Sequence, residues 1–542
     1  MSTSPVSAVA LALVVSVTAS GANLGLAQLQ EQALLFAADA SDFEDFGDAV
    51  AIDGDTIVVG MPDDGADPLA DHGSVRIFVR PPGGWAGTPV ETARLVSPEP
   101  KSRGCFGSSV AVQGDRIVVG EKGFSAWRTE QGALHVYERP SGGWRDGLLP
   151  AATLVAQNTK DGSWLGESCA IDGDTIVGGA PFDGFGVGAV FVFVKPDQGW
   201  KGLRVESAKM RPSGSAPVGY GHAVDVSGRW VLIGAPAFLP FPPQRGSAVL
   251  VPEPAGGWQG NFIPAGGSYG LRSSDSTPGD DFGRSVAIDG DRAVIGSSGK
   301  AFVFGRPNWS EVAVLEPGTT VGGFGASLAI DDAIAVVGAT DVGFGGIGRA
   351  FVYREPFGGW TGTLFPSAEL RTSVPAAATS NALGHAIALD GNVVVTGAPS
   401  MVLQGVVTGA ATLHELPSAK AAVRNGGTNP PSLGATQPLL AGSLDVRVDL
   451  ASTGHEDALL FAFDTQASVL LGGGQVLLCT DGGAGELFTG AGLLATGPVA
   501  AFGIPLPSTL GLSATSMTVQ ALHVNGVVPF ALSNAYDLTL GF

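Results

Sequence analysis

The feature of this sequence that leaves the fewest ways to fold is a pair of glycines thirteen positions apart, written seven times: Gly47 and Gly60, Gly107 and Gly120, Gly166 and Gly179, Gly221 and Gly234, Gly283 and Gly296, Gly325 and Gly338, Gly384 and Gly397. Self-similarity at a fixed period marks a repeat architecture, in which each unit buries its apolar face against the next. Between the glycines, alternating stretches such as "AVAI" and "TIVVG" flank an Asp-Gly turn. Alternation with period two makes a strand with one apolar face, and Asp-Gly supplies the positive φ of a tight hairpin. Each copy therefore reads as a β-hairpin. The turn glycine is Gly54, Gly114, Gly173, Gly228, Gly290 and Gly391, with Asp332 in its place in the sixth copy.

A third strand follows each hairpin, as in "GSVRIFVR" at 73–80 and "GRAFVYRE" at 348–355, and a fourth precedes the next, as in "TARLVS" and "AELRTS". Four strands in each of seven repeats predict an all-β chain whose residues 32–418 form a seven-bladed β-propeller. The seventh copy stops after "GAATLHEL" without a fourth strand, while "ALLFAAD" at 33–39 precedes the first copy. The N-terminal strand is expected to complete the last blade, so that no long sheet edge stays open. Glycines weaken strands, and their return at both ends of every hairpin implies close backbone approach around the axis.

With 44% hydrophobic residues the chain can build a core, and its 82 glycines and 36 prolines follow no collagen-like period. The 50 acidic and 29 basic residues give a net charge of −21, which repels phosphate backbones and anionic lipid, so nucleic-acid and membrane-surface partners are not expected. Residues 1–27 carry an apolar run followed by small residues around Ala22 and Ala27, the pattern of a signal peptide, and no later stretch is apolar enough to span a bilayer. A secreted or cell-surface location is the expectation. Three cysteines, Cys105, Cys169 and Cys479, cannot form a disulfide framework, and Cys169 shares the repeat position of Val50 and Val110, as a small core residue would.

Phe46-Gly47, Phe106-Gly107, Phe282-Gly283 and Phe324-Gly325, with Gly179-Ala180-Pro181, Gly234-Ala235-Pro236 and Gly397-Ala398-Pro399, resemble the two motifs of the FG-GAP repeat family, known from the integrin α-subunit propeller and many secreted bacterial proteins. The resemblance implies an extracellular recognition, adhesion or scaffold role. Integrin-type repeats often hold calcium in an Asp-rich loop between the motifs, but here "IDGDT" turns the chain at once. Calcium needs six to eight oxygens. Asp53 with Asp55, or Asp172 with Asp174, is too short a set, so no cofactor is expected.

The residue after the first glycine reads Asp48, Ser108, Glu167, His222, Arg284, Ala326 and His385 around the ring. Scaffold positions repeat and this one does not, so Asp48, Glu167, His222, Arg284 and His385 are the candidate ligand-binding residues at one channel mouth. Trp85, Trp144, Trp200, Trp258, Trp309 and Trp360 recur after the third strand and read as covers for apolar surface between blades. The loop "MPDDGADPLADHG" holds Asp63, Asp64 and Asp67, weak candidates for a cation at a spacing that matches no cation loop.

Signatures of catalysis are poor. "GFGGIG" at 343–348 leads into the strand "AFVY" where a dinucleotide site needs a helix, and "GASLA" from Gly325 lies in an inner strand, where no elbow exposes its serine. Beyond "KAAVRNGGTNPPSLGATQP" the repeat ends, and residues 425–542 alternate at strand spacing, as in a small β-sandwich-like domain. The reading that follows is a secreted or cell-surface recognition, adhesion or structural protein whose partner is an extracellular protein or glycan. The alternative is an extracellular glycan lyase or hydrolase with acid and base drawn from the channel ring.

Overall fold

The computed structural model describes residues 26–416, apart from 40–43, 65–71, 213–218, 237–244, 265–267, 276, 278, 341–346, 357–358, 375–380 and 404, and beyond these only the backbone of a set of strands. In every copy the stretches flanking the turn pair antiparallel as the inner hairpin of a blade: Ala49–Asp53 with Thr56–Met61 in blade 1, Phe106–Gln113 with Arg116–Glu121 in blade 2, Ser168–Asp172 with Thr175–Ala180 in blade 3, Ala223–Ser227 with Trp230–Ala235 in blade 4, Val286–Asp289 with Arg292–Ser297 in blade 5, Phe324–Asp331 with Ile334–Ala339 in blade 6, and Ile387–Asp390 with Val393–Ala398 in blade 7. A third and a fourth strand continue each sheet outward. The second strands are apolar on both faces because neighbouring blades cover both, and Thr56–Met61 is buried at all six positions.

The ring closes by the expected loan. Ala33–Leu35 pairs antiparallel with Ala410–Glu415 and becomes the fourth strand of blade 7, ending before the Asp39 read from the sequence. The preceding Ala27–Gln30 also forms a strand, parallel to Ala368–Arg371 on the outer edge of blade 6. Gly202–Val205, Gly260–Phe262 and Gly362–Leu364, each lying between the third and fourth strands of its own repeat, likewise pair parallel with the fourth strand of the blade before. Because blade 7 takes its fourth strand from the N-terminal arm, the segment just ahead of that strand inherits the same task.

The recurrent tryptophans follow the third strand in blades 1 to 6, three of them just ahead of these crossing strands, and are only 2–5% exposed. Trp144 packs with Val75, Ile77, Ala93 and Leu95 of blade 1, and Trp200 with Leu134, Val136, Ala152 and Leu154 of blade 2. Trp309 and Trp360 repeat the contact on blades 4 and 5. A large rigid aromatic thus seals six of the seven seams, as its repetition implied, while Leu416 packs into the core between blades 6 and 7.

The paired glycines meet across the seams. A Cβ on Gly60 would run into the carbonyl oxygen of Gly107 in the next blade, and the same holds for Gly120 against Gly166, Gly179 against Gly221, Gly234 against Gly283, Gly296 against Gly325, Gly338 against Gly384 and, closing the circle, Gly397 against Gly47. Seven inner strands can crowd one axis only where backbone touches backbone, and that contact fixes the spacing of the repeat.

At the hairpin end a hydrogen-bonded belt joins the blades. The turn N–H of Gly54, Gly114, Gly173, Gly228, Gly290, Asp332 and Gly391 donates, at 2.5 to 3.1 Å, to the side chain of Asp390, Asp53, Gln113, Asp172, Ser227, Asp289 and Asp331 of the preceding blade. The first Asp of the Asp-Gly-Asp turn therefore serves the neighbouring blade as well as its own.

Asp225 lies just inside this belt on the inner strand of blade 4, accepting from Ile288 N–H at 2.7 Å and Val226 N–H at 2.8 Å. It is half-buried, and desolvation, added to by the Asp172 and Asp289 charges, pushes its carboxyl up to about 7. A carboxyl raised above its unfolded value adds stability below the unfolded pKa and loses it as pH rises through the folded one. Stability is thus expected to fall between about pH 4 and pH 7, by on the order of 3–4 kcal/mol from this group. Denaturant midpoints at pH 5 and pH 8 check it: Asp225→Asn, which keeps an acceptor, should shrink the difference between them.

Residues 418–542 form a second unit. Its strands pair antiparallel, with Lys420–Arg424, Ala535–Thr539, Ser516–Val524 and Asp457–Phe463 side by side in one sheet and Leu433–Ala435, Ser443–Asp449 and Val499–Pro505 in another. Val476–Cys479 is a further strand of this unit, paired antiparallel with Ala467–Leu470.

Candidate functional site

Opposite the belt, the first glycine of each pair lies in a turn with one backbone geometry. The N–H of Asp48, Ser108, Glu167, His222, Arg284, Ala326 and His385 donates to the carbonyl three residues earlier, on Asp45, Cys105, Trp164, Gly219, Asp281, Gly323 and Ala382, at 3.0 to 3.2 Å. That earlier residue is left-handed in every blade, and the five that are not glycine have φ of 51° to 57°. Between the two stands a buried plug: Phe46, Phe106, Leu165, Tyr220, Phe282, Phe324 or Leu383. The plug holds the turn, and the first and last positions are left free to differ.

The turns carry the sequence-derived residues to one mouth and group them. His385 Nε2 lies 3.0 Å from Asp48 Oδ1, across the seam where blade 7 meets blade 1. Burial opposes the charged imidazole, but the hydrogen bond and charge of Asp48, with Asp45 behind them, outweigh it and raise the pKa. Glu167 pairs with Lys122 Nζ at 3.2 Å, and although burial works against the ammonium, that partner raises its pKa. His222 is pushed down, first by burial and then by the charges of Arg284 and Lys122, against the pull of Glu167. Burial lowers Arg284 too, opposed by Asp281.

Two members are spent on the frame. Ser108 Oγ donates to the carbonyl of Gly166 at 3.0 Å, and Ala326 carries no polar group. Sequence reasoning missed Asp45, Cys105, Trp164 and Asp281, whose signal is their place two residues before the glycine. Asp45 is raised to about 6, chiefly by burial and then by Asp63 and Asp48. Burial also pushes the Cys105 thiol up to about 11, so it is not poised as a thiolate. The mouth thus combines an acidic sector at Asp45, Asp48 and Asp63 with cationic groups at Lys122 and Arg284 and two imidazoles whose pKa values are shifted in opposite directions. That mixture can recognise a partner bearing both donors and acceptors.

The acidic loop of blade 1 divides differently. Asp64 is buried and engaged by Ser74 Oγ, by Arg76 at 3.2 Å and by Arg94 at 2.6 Å, while Arg76 also reaches Asp39 at 2.9 Å and Glu91 at 3.1 Å. Asp63 hydrogen-bonds Asp45 at the mouth, and Asp67 lies outside the described residues. Among the described residues no group of three or more His, Cys, Asp or Glu side chains is set to hold a metal ion. Cys169 packs beside the core shared by blades 2 and 3, and burial pushes its thiol up to about 12. No helix among the described residues is long and apolar enough to cross a membrane.

The FG-GAP repeat family model matches residues 29–78, 150–193 and 270–306. Each match takes in a fourth strand and the first three strands of the following blade, so the family unit straddles a seam, and the first match begins within the N-terminal arm's edge strand. Among solved structures, one titled Kluyveromyces lactis Hsv2 complete loop 6CD has a TM-score of 0.41 at 11% identity, covering 70% of this chain and 94% of that one. No curated protein matches the chain.

Proposed function

Since this chain is an FG-GAP repeat β-propeller, we propose that it acts as a secreted or cell-surface recognition and adhesion module that binds an extracellular protein or glycan at the FG mouth, without calcium. The observation that carries this reading is the contrast within the seven turns: one backbone geometry and one buried plug throughout, but different side chains at the two positions facing the mouth. A frame that served only to close the ring would have no reason to assemble Asp48 with His385 and Glu167 with Lys122 there. Glycan and matrix-protein arrays, probed with and without chelator, test it. A ligand should bind equally in both conditions, and His222→Ala, Arg284→Ala and His385→Ala should each weaken it by about tenfold while the melting temperature stays nearly constant. Binding lost to chelator, or unchanged in all three variants, would refute the proposal.

The glycan-active enzyme is the second reading. Asp45 favours it, because a carboxyl raised to about 6 retains a proton for a leaving group near neutral pH. It requires polysaccharide turnover that Asp45→Asn abolishes, and without such turnover recognition stands alone.

A further inference from the structure

We infer that a second site, on the outer rim where blades 2 and 3 meet, binds an acidic polysaccharide. The inference does not depend on what the mouth binds. Two cavities of about 460 and 300 Å³ open there, with Arg128 in the wall of the first and its neighbour Trp127 in the wall of the second. Trp127 is 52% exposed, unlike the seam tryptophans, and lies outside their repeat position. Its position is fixed: the buried Gln131 accepts through Oε1 from the backbone N–H of Trp127 at 3.2 Å and of Arg128 at 2.8 Å. Phe185, fully exposed and left-handed at φ 65°, stands in the loop beside the larger cavity.

The walls are cationic in a chain of net charge −21. Arg128, Lys160, Lys209 and Arg211 line the larger cavity against one carboxylate, Asp183. That carboxylate is already engaged by Lys209 Nζ and by the hydroxyls of Thr159 and Ser163, each at 3.1 Å. Arg204 adds a cation to the smaller cavity. Arg128, Lys160, Arg204 and Arg211 form no ion pair among the described residues, as is also true of Arg103, Arg145, Lys201 and Arg284 elsewhere, but here four such cations gather in the walls of two cavities. Unpaired cations beside a chain rich in carboxylates point to an anion from outside. The amides of Gln157, Asn158 and Asn261 supply the donors and acceptors that hydroxyls need, and an exposed indole face suits the C–H face of a pyranose. Anionic groups, hydroxyls and a stackable ring occur together in a carboxylated or sulfated polysaccharide.

Affinity electrophoresis of the full chain in gels containing alginate, polygalacturonate, dextran sulfate or neutral dextran tests the assignment. Retardation is expected with the carboxylated polymers, the sulfated one, or both, which identifies the anion, and not with neutral dextran. Trp127→Ala and the double variant K160A R211A, checked for unchanged melting temperature, should each weaken binding at least about tenfold. The double variant should also reduce its salt dependence. His222→Ala and Arg284→Ala at the mouth should leave it intact. No retardation by any polyanion, retardation insensitive to both rim variants, loss confined to the mouth variants, or equal competition by poly-glutamate would each overturn the site.

Discussion

Replacing Gly397 by alanine is expected to destabilise the propeller by more than about 3 kcal/mol, read as a loss of at least about 6 °C in melting temperature or as insoluble protein. The added methyl group would meet the carbonyl oxygen of Gly47 in blade 1, and a backbone atom inside a paired strand has no rotamer to move into. Gly397 also accepts from Gly384 N–H at 3.0 Å and Gly47 donates to Gly60 at 3.0 Å, so neither strand can retreat without breaking its own hairpin. Relief would require blade 7 to draw away from blade 1, spoiling the core that Phe46, Trp85, Ala411 and Leu413 share there. Gly54→Ala is the control. Gly54 has φ 55° with nothing near its absent side chain, so the cost is the left-handed backbone alone, about 1 kcal/mol. Asp332 occupies the equivalent turn at φ 49° in blade 6. Thermal unfolding of the two variants side by side decides the matter, and similar losses would mean that the glycine pairs are not seam contacts.

The same comparison shows what a one-dimensional reading reaches. The number of blades, the inner hairpins and the borrowed strand follow from local alternation and from counting, because strand period and turn chemistry are encoded within a few residues. Trp144 and Trp200 declared themselves by repetition. The belt did not: Asp53 looks like a hairpin residue, and only the assembled ring brings it to Gly114, 61 positions away. The parallel fifth strands escaped for a different reason. Gly202–Val205 is short and mostly exposed, so it carries no apolar alternation and is defined by the neighbour it reaches.

The candidate site divides along the same line. Counting from each glycine located Asp48, Glu167, His222, Arg284 and His385, and the shared turn explains why they gather at one mouth. Their partners were not legible. Lys122 follows the second strand of blade 2 and meets Glu167 of blade 3, while His385 meets Asp48 across the closure of the chain. Pairings of this kind are set by the tilt and contact of separate blades. Trp127 and Arg128 were equally silent, since nothing local distinguishes an exposed Trp-Arg pair held by Gln131 from an ordinary loop.

Deleting residues through Leu35 is expected to have a still larger effect than Gly397→Ala, because the arm ties three blades together. Leu35 and Ala33 are fully buried in the seam with Phe46 and Trp85. Between the arm's two strands, Glu31 accepts from Ser373 N–H of the loop after blade 6 at 2.8 Å, Gln32 N–H donates to Leu413 O of blade 7 at 2.8 Å, and Gly87 N–H following the third strand of blade 1 donates to Gln32 O at 2.8 Å. Without this segment Ala410–Glu415 becomes an open edge beside an uncovered apolar seam, a template for pairing with another chain. The shortened protein should aggregate or lose its cooperative melting transition, as size-exclusion chromatography and calorimetry would record. Removing only the residues before Glu31 should cost far less, about 1–3 kcal/mol, since it strips the edge strand of blade 6 and leaves the ring shut. A synthetic peptide spanning residues 26–39, added to the shortened protein, should restore the transition by strand addition. Failure of the peptide to do so, or an unaltered transition in the longer deletion, would show that blade 7 is held by something other than the arm.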